Sequence, residues 1–569
     1  MSDTQQDWWN ALASVADAMT KIASGAAATR LTPPPYDPLA IADSVTAFAG
    51  SLWSKPTELM QTQFAAARQW GEFWRDVWTG TTLPSPKDRR FGAPAWQDDA
   101  YYRTIRDAYL LASDQLRTVA AKGEGDASTR ATVAFLLDQY LNAVAPTNFP
   151  FANPEVVERT LATGGTNLVQ GFAHLLEDLA SGDGIVRRRT DPSAFQKGKT
   201  IAATPGSVVY QNDLFQLIQY DPTTPDVDAE PMLYVPPLVN RYYMIDLQPK
   251  SSLVKWLVDE GKTVFVISWV NPTESHRDKG LDNYVLEGVV EAIDVVRQRS
   301  GSAPDLFAFC LGGTLAAIAA AWLAAKDRGR DVHSITLIGT LVDFANMSDW
   351  AAFVHEAHFQ ALENHLARQG FIDSTELQRL FATMRANDLI WSSVVNHYLL
   401  DRAAPPSDLL YWFEDGARIP AAFLTSFNRA LLLENRLAGT TQLTMGGELI
   451  DLARIETPVL SIALKDDHVS AWASVYQGAK LLGGDFILGG SGHNAGVINP
   501  PSANKHGFWT NGAQPDSAEQ WLEGASRQDG SWWPYWRDWL GRLGIGKRIE
   551  KRVIVDGLEP APGSYAKAP

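Results

Sequence analysis

Up to about residue 190 the apolar positions recur at helical spacing, and no strand-like run interrupts them. Trp8, Leu12, Val15 and Met19 share one such face; Trp70, Trp74 and Trp78 share another, with Phe73 and Val77 beside them. The second face suits core packing, docking on a partner domain, or adhesion to an apolar particle. Residues 31–38, Leu-Thr-Pro-Pro-Pro-Tyr-Asp-Pro, break the pattern as a stiff extended linker. The stretch 88–96 reads as a loop, and 142–148 and Asn153-Pro154 punctuate the helices around them. From residue 207 the pattern changes. Short β-branched and aromatic runs at 207–210, 214–220, 232–235, 263–269, 306–309, 334–338, 459–463 and 486–488 alternate with helical stretches such as 284–299 and 314–326. This alternation predicts an α/β domain with a mostly parallel sheet over 196–569, behind an all-helical domain over 1–195. The interval 342–445 is too long for one crossover and mostly helical, which predicts a cap inserted between late strands. No internal repeat is seen.

Composition narrows the field. Of 569 residues 45% are hydrophobic and 20% charged, the balance of a globular chain. A net charge of −16 and the lack of a Lys/Arg block argue against nucleic acid as a partner. The single cysteine excludes an internal disulfide and suits a reducing compartment. The start, Met-Ser-Asp-Thr-Gln-Gln-Asp, is acidic and polar, so no secretory signal is expected. Residues 306–325 are uncharged and long enough to raise a membrane span. Gly312-Gly313 divides them into a strand and a helix, so a buried βα unit is expected and no transmembrane segment.

Those glycines follow the only cysteine, Cys310, at the end of the 306–309 strand. A strand, a tight turn with one side chain at its apex and a helix form the nucleophile elbow of α/β-hydrolases, here with Cys for Ser. Ala308 stands where the motif has its first Gly, and Gly312 lets the helix pack close beneath the nucleophile. A thiol needs a base, and the base an orienting carboxylate. In this fold both follow late strands, in the order acid then histidine. Asp466 and Asp467 follow the 459–463 strand and are not separable on physical grounds; His493, flanked by glycines, follows the 486–488 strand. His468, directly beside the acid, is a competing base. The oxyanion needs two N–H donors: Leu311, next after the nucleophile, and Val239 or Asn240, past Pro236-Pro237, which supply none. His355-Glu-Ala-His358, with His365, spaces its first pair i, i+3 instead of the i, i+4 of a zincin, so a polar helix face is expected and no metal. No Walker loop or dinucleotide fingerprint is present.

The wording around these residues resembles the polyhydroxyalkanoate synthases. The matching stretches are Phe309-Cys-Leu-Gly-Gly-Thr314, Val235-Pro-Pro-Leu-Val-Asn-Arg-Tyr-Tyr243 with Asp246-Leu-Gln-Pro249, and Val266-Ile-Ser-Trp-Val-Asn-Pro272. They continue with Asn387-Asp-Leu-Ile-Trp391, Asp467-His-Val469, Gly492-His-Asn-Ala-Gly-Val-Ile-Asn-Pro-Pro501 and Gly530-Ser-Trp-Trp-Pro534. Asp88-Arg-Arg-Phe91 and Ala145-Pro-Thr-Asn148 carry the likeness into the helical domain, and only the first 80 or so residues match loosely. The resemblance is to the class I branch. It implies polymerisation of (R)-3-hydroxyacyl-CoA, typically 3-hydroxybutyryl-CoA, into polyester with release of CoA and no external cofactor. It implies a triad of Cys310, Asp467 and His493, which selects Asp467 over Asp466. A homodimer at the surface of polyester granules in the cytoplasm is implied as well. Ala308, and Asn494 where an apolar residue is commoner, depart from the family pattern without removing a catalytic group. A thioesterase or intracellular depolymerase sharing the elbow, and a non-catalytic granule-coating protein, are the alternatives.

Overall fold

The computed structural model describes residues 3–23, 38–81, 88–180, 189–544 and 547–568, and all but the last residue of the proline-rich linker lies outside them. The described chain forms two compact units. Among its described residues no helix is long and apolar enough to cross a membrane.

The first unit comprises Met1–Asp191 with Ala351–Phe353 and Arg379–Pro406. Its main helices are α1 (Asp3–Ala23), α2 (Pro38–Trp53), α3 (Pro56–Thr79), α4 (Ala100–Ala120), α5 (Ala127–Ala143) and α6 (Thr166–Ala180). Their ends follow local chemistry. Asp99 caps α4 by accepting from the N–H groups of Tyr101 and Tyr102, Asp126 caps α5, and α3 stops at Gly80 in the left-handed region. On α1 the small residues Ala11 and Ala18 are buried, whereas Leu12 and Met19 stay exposed. On α3, Phe73 is buried and Trp70 donates to Gln115 Oε1 at 2.9 Å, but Trp74 is about half exposed and Trp78 is 86% exposed. The aromatic face therefore divides between core and surface. Arg106 is wholly buried on α4, where it donates to the Trp96 carbonyl and Gln97 Oε1 and pairs with Asp107.

Residues 379–406 pack inside this first unit, whose leading stretch runs to Asp191. The contacts are specific. Tyr398 donates to the buried Asp178 at 2.6 Å, Asn167 donates to the Leu399 carbonyl at 2.7 Å, and Asn387 donates to Asn142 at 2.9 Å. Gly171 of α6 lies so near this segment that a Cβ would sit 1.8 Å from the Tyr398 carbonyl oxygen.

The second unit is built on a sheet of eleven strands among the described residues. In chain order these are β1 (Gly206–Gln211), β2 (Phe215–Tyr220), β3 (Met232–Val235), β4 (Val264–Trp269), β5 (Asp305–Phe309), β6 (Ser334–Ile338), β7 (Val459–Leu464), β8 (Asp485–Gly489), β9 (Phe508–Thr510), β10 (Ser526–Gln528) and β11 (Glu559–Pro560). The order across the sheet is β10-β9-β8-β7-β6-β5-β3-β4-β2-β1-β11. The run from β4 through β3 to β8 is parallel, and the flanking pairs are antiparallel. The central strands β3 to β7 are buried along their whole length, which is why they read as continuous apolar runs without alternation. The eight predicted strands all form, within a residue or so at each end. β9, β10 and β11 were not expected: they are two or three residues long at the sheet's edges, and β10 is polar and exposed throughout. The helix expected from residue 314 begins earlier, as α7 (Leu311–Ala325), so Gly312-Gly313 lies within its first turn.

Gly171→Ala forces the α6 backbone away from Tyr398. It is expected to lower stability by about 1–3 kcal/mol, read as a fall in the melting midpoint of the full chain.

Candidate active site

β5 carries the chain to Cys310, whose backbone takes φ 52° and ψ −127°, a conformation that side-chain-bearing residues rarely adopt. Its N–H still donates to the Ile338 carbonyl of β6 at 2.9 Å, and its own carbonyl accepts from the Gly313 N–H at 2.9 Å. The turn is thus held by the sheet on one side and α7 on the other. Both following glycines are required by close approach. A Cβ on Gly312 would lie 2.3 Å from the Val235 carbonyl oxygen, and one on Gly313 would lie 1.9 Å from Thr340 Oγ1. Ala308, two residues before the apex, is wholly buried within β5.

Asp467 and His493 stand on the loops after β7 and β8. His493 Nδ1 lies 2.6 Å from Asp467 Oδ2, and both residues are buried. The other carboxylate oxygen accepts the N–H groups of Val469 and Ser470 at 2.8 and 2.9 Å, so the acid is oriented by three bonds. Asp466, the neighbour that chain order alone did not separate, is exposed, and its N–H ties the two loops by donating to the Ser491 carbonyl at 3.0 Å. With Nδ1 committed to Asp467, the remaining imidazole nitrogen can serve another group, and the Cys310 sulfur is near enough to act on the charge of the imidazole. Burial opposes a proton on His493, but the Asp467 carboxylate and the Cys310 sulfur outweigh it and hold the imidazole's affinity for its proton well above the ordinary histidine range. His468 is half-buried beside the acid.

Leu311 opens α7, so its N–H has no acceptor within the helix. The loop after β3 carries Val239 and the buried Asn240. The Val239 carbonyl accepts the Ala417 N–H at 3.2 Å, while Asn240 Nδ2 donates to the Trp412 and Phe413 carbonyls at 3.3 and 3.4 Å. The Asn240 side chain is therefore spent on structure, and only main-chain N–H groups of this loop are available to an oxyanion.

Of the supporting residues, Phe309 stands in the matched stretch around Cys310, whereas Gly339 and Thr340 had no motif to announce them. Phe309 lies against the His493 ring at 4.6 Å, and Thr340 Oγ1 donates to the Ile338 carbonyl and approaches the Cys310 carbonyl at 3.3 Å. Gly339, at φ 52°, leaves space that a Cβ would fill at 3.4 Å from both Asp467 Oδ2 and His493 Cε1. The Trp532-Trp533 pair did stand in the sequence pattern. Its indole N–H groups donate to the carbonyls of Gly496 and Val497 at 2.8 and 3.0 Å, anchoring the loop that bears His493. The histidines of the cap helix are not a polar outer face. His358 and His365 are buried, and His365 Nε2 faces Glu376 at 3.1 Å. Among the described residues no group of three or more potential ligands gathers for a metal.

The profile described as poly-beta-hydroxybutyrate polymerase (PhaC) N-terminus matches residues 87–257, and that described as alpha/beta hydrolase fold matches residues 236–500. The chain is 39% identical over 533 residues to a poly(3-hydroxyalkanoate) polymerase of Methylorubrum extorquens, covering 90% of this chain and 88% of that one. It is 40% identical over 488 residues to the poly(3-hydroxyalkanoate) polymerase subunit PhaC of Rhizobium meliloti, covering 84% and 79%. With the corresponding subunit of Cupriavidus necator it shares 38% identity over 527 residues, covering 90% and 89%. An α/β-hydrolase sheet with cysteine at its elbow, joined to a helical N-terminal region and matched nearly end to end by these relatives, places the chain in the poly(3-hydroxyalkanoate) polymerase family.

Proposed function

We propose that this protein polymerises (R)-3-hydroxyacyl-CoA, with 3-hydroxybutyryl-CoA as the preferred class, into a polyester and releases CoA. The observation that carries the reading is the contact between His493 and Asp467 at 2.6 Å, with the chain's only cysteine near enough to act on the imidazole. His493 takes the Cys310 proton, and the sulfur attacks the thioester carbonyl. The tetrahedral oxyanion is received by the Leu311 N–H and an N–H of the Val239–Asn240 loop. Collapse breaks the C–S bond to CoA, and the imidazolium returns the proton to the leaving thiolate. The acyl group is left on Cys310 as a new thioester of similar energy, still activated. The 3-hydroxyl of a further monomer or chain then attacks that carbonyl and gives its proton to the now neutral imidazole; the ester forms, the C–S bond to Cys310 breaks, and the sulfur leaves as thiolate, which is the state that attacks the next thioester. A serine would trap the chain as an oxoester and discard this activation, which gives a physical reason for sulfur at the elbow. Exclusion of water keeps the thioester from ending as free acid.

The exposed aromatic residues Trp53, Phe64, Trp74 and Trp78 around α2 and α3 supply an apolar surface suited to a polyester granule. With that surface we assign the first unit to granule attachment and to homodimer formation in the cytoplasm.

Incubation with 3-hydroxybutyryl-CoA is expected to yield polymer and stoichiometric CoA, both abolished in Cys310→Ala. Accumulation of free 3-hydroxybutyrate in place of polymer would make the protein a thioesterase. In Asp467→Asn the carboxylate that opposes the burial cost of the imidazolium is gone. His493 is therefore expected to lose its proton at lower pH by NMR, the alkaline limb of kcat to move down, and kcat to fall ~10²–10⁴-fold. Deleting residues 1–80 is expected to reduce granule attachment and oligomerisation in sedimentation assays more than it slows CoA release; full granule-bound activity would refute that assignment.

A further inference from the structure

The loop after β3 ends in Arg241, which the chemistry above does not use. Its guanidinium is buried, yet its carboxylate neighbour is distant, with Nε 3.9 Å from Asp415 Oδ1. Nη1 and Nη2 donate instead to the main-chain carbonyls of Tyr565 at 2.9 Å and Ala568 at 2.7 Å. Lys197 repeats the arrangement: Nζ lies 2.5 Å from Asp415 Oδ2 and donates to the Ala566 carbonyl at 3.0 Å. Tyr243 donates its hydroxyl to the same Asp415 oxygen at 2.6 Å. Two cations thus share one carboxylate. Leaving a buried charge short of partners is costly, and here three carbonyls at the end of the Gly563–Lys567 helix make up the deficit.

The segment that presents those carbonyls is fixed to the sheet. β11 adds antiparallel to β1, and the wholly buried Gln216 of β2 donates to Ser564 Oγ at 2.9 Å and accepts the Tyr565 N–H at 3.1 Å. Gly563 approaches so closely that a Cβ would lie 2.4 Å from Gln216 Oε1. On the far side of Arg241, the Trp412 indole donates to the Arg241 carbonyl at 2.7 Å, next to the bonds from Ala417 and Asn240 already described. Residues 239–241 are therefore gripped from two directions, by 412–417 and by 565–568.

We propose that Arg241 is a positioning residue for the reaction: held between Asp415 and the 565–568 carbonyls, it fixes the direction of the Val239 and Asn240 N–H groups that receive the oxyanion. Nothing in the motif of Cys310, Asp467 and His493 assigns it this part. The role presupposes the thioester chemistry proposed above.

Two reactions of the same sulfur separate positioning from general damage. Iodoacetamide alkylates the single cysteine by direct displacement and forms no oxyanion, whereas acylation by 3-hydroxybutyryl-CoA does. In full-length Arg241→Gln, kcat for CoA release is expected to fall about 10–100-fold with KM little changed, while the alkylation rate stays within about twofold of wild type. Arg241→Lys keeps the charge but cannot span two carbonyls, so its kcat is expected to lie between the two. Equal losses in both reactions, or full CoA release by Arg241→Gln, would overturn the assignment. A wild-type protein that is alkylated at Cys310 yet releases no CoA would overturn the reading of function beneath it.

Discussion

At Gly312 the first turn of α7 lies so close to the end of β3 that a Cβ would meet the Val235 carbonyl oxygen at 2.3 Å. This approach of two backbones locks the elbow to the loop that follows β3. The proposed nucleophile comes from one and the proposed oxyanion donor from the other, so their relative placement is set by main chain and not by rotamers. Cys310 accepts a costly backbone conformation as a result, of the order of ~1–3 kcal/mol. The strain is supported on every side, by the β6 ladder through Ile338, by the α7 turn through Gly313, and by Thr340 packed against that glycine.

The charges of the site are arranged on the same principle. Asp467 is buried, but three donors satisfy it, and one of them is the imidazole it orients. Burial works against a proton on His493, and the Asp467 carboxylate with the Cys310 sulfur outweighs it. The loops that carry the two residues are pinned by main-chain bonds between them and by the Trp532 and Trp533 indoles, so little reorganisation is left to the reaction itself.

Much of this was legible in the residues. Buried parallel strands announce themselves as apolar runs, and a lone cysteine before two glycines marks an elbow. Asp467 and His493 fall after late strands where topology requires them. What separates Asp467 from Asp466 is burial and the Asx turn with Val469 and Ser470, neither of which the chain order contains. Periodicity shows that 342–445 is mostly helical but not which neighbour 379–406 packs on, and Gly171 against Tyr398 is a contact between residues more than two hundred positions apart. β9 to β11 are too short to carry a pattern. The clamp on Arg241 depends on carbonyls, which every residue has, so no side-chain motif signals it.

Sulfur at the elbow is the claim on which the chemistry turns: the growing chain is carried as a thioester on Cys310. Rapid quenching during turnover of 3-hydroxybutyryl-CoA, followed by mass spectrometry of the peptide containing residue 310, tests it directly. The account predicts hydroxybutyryl repeats on Cys310 that disappear with hydroxylamine. Polymer forming while that peptide stays unmodified, or with acyl groups on another residue, would contradict it.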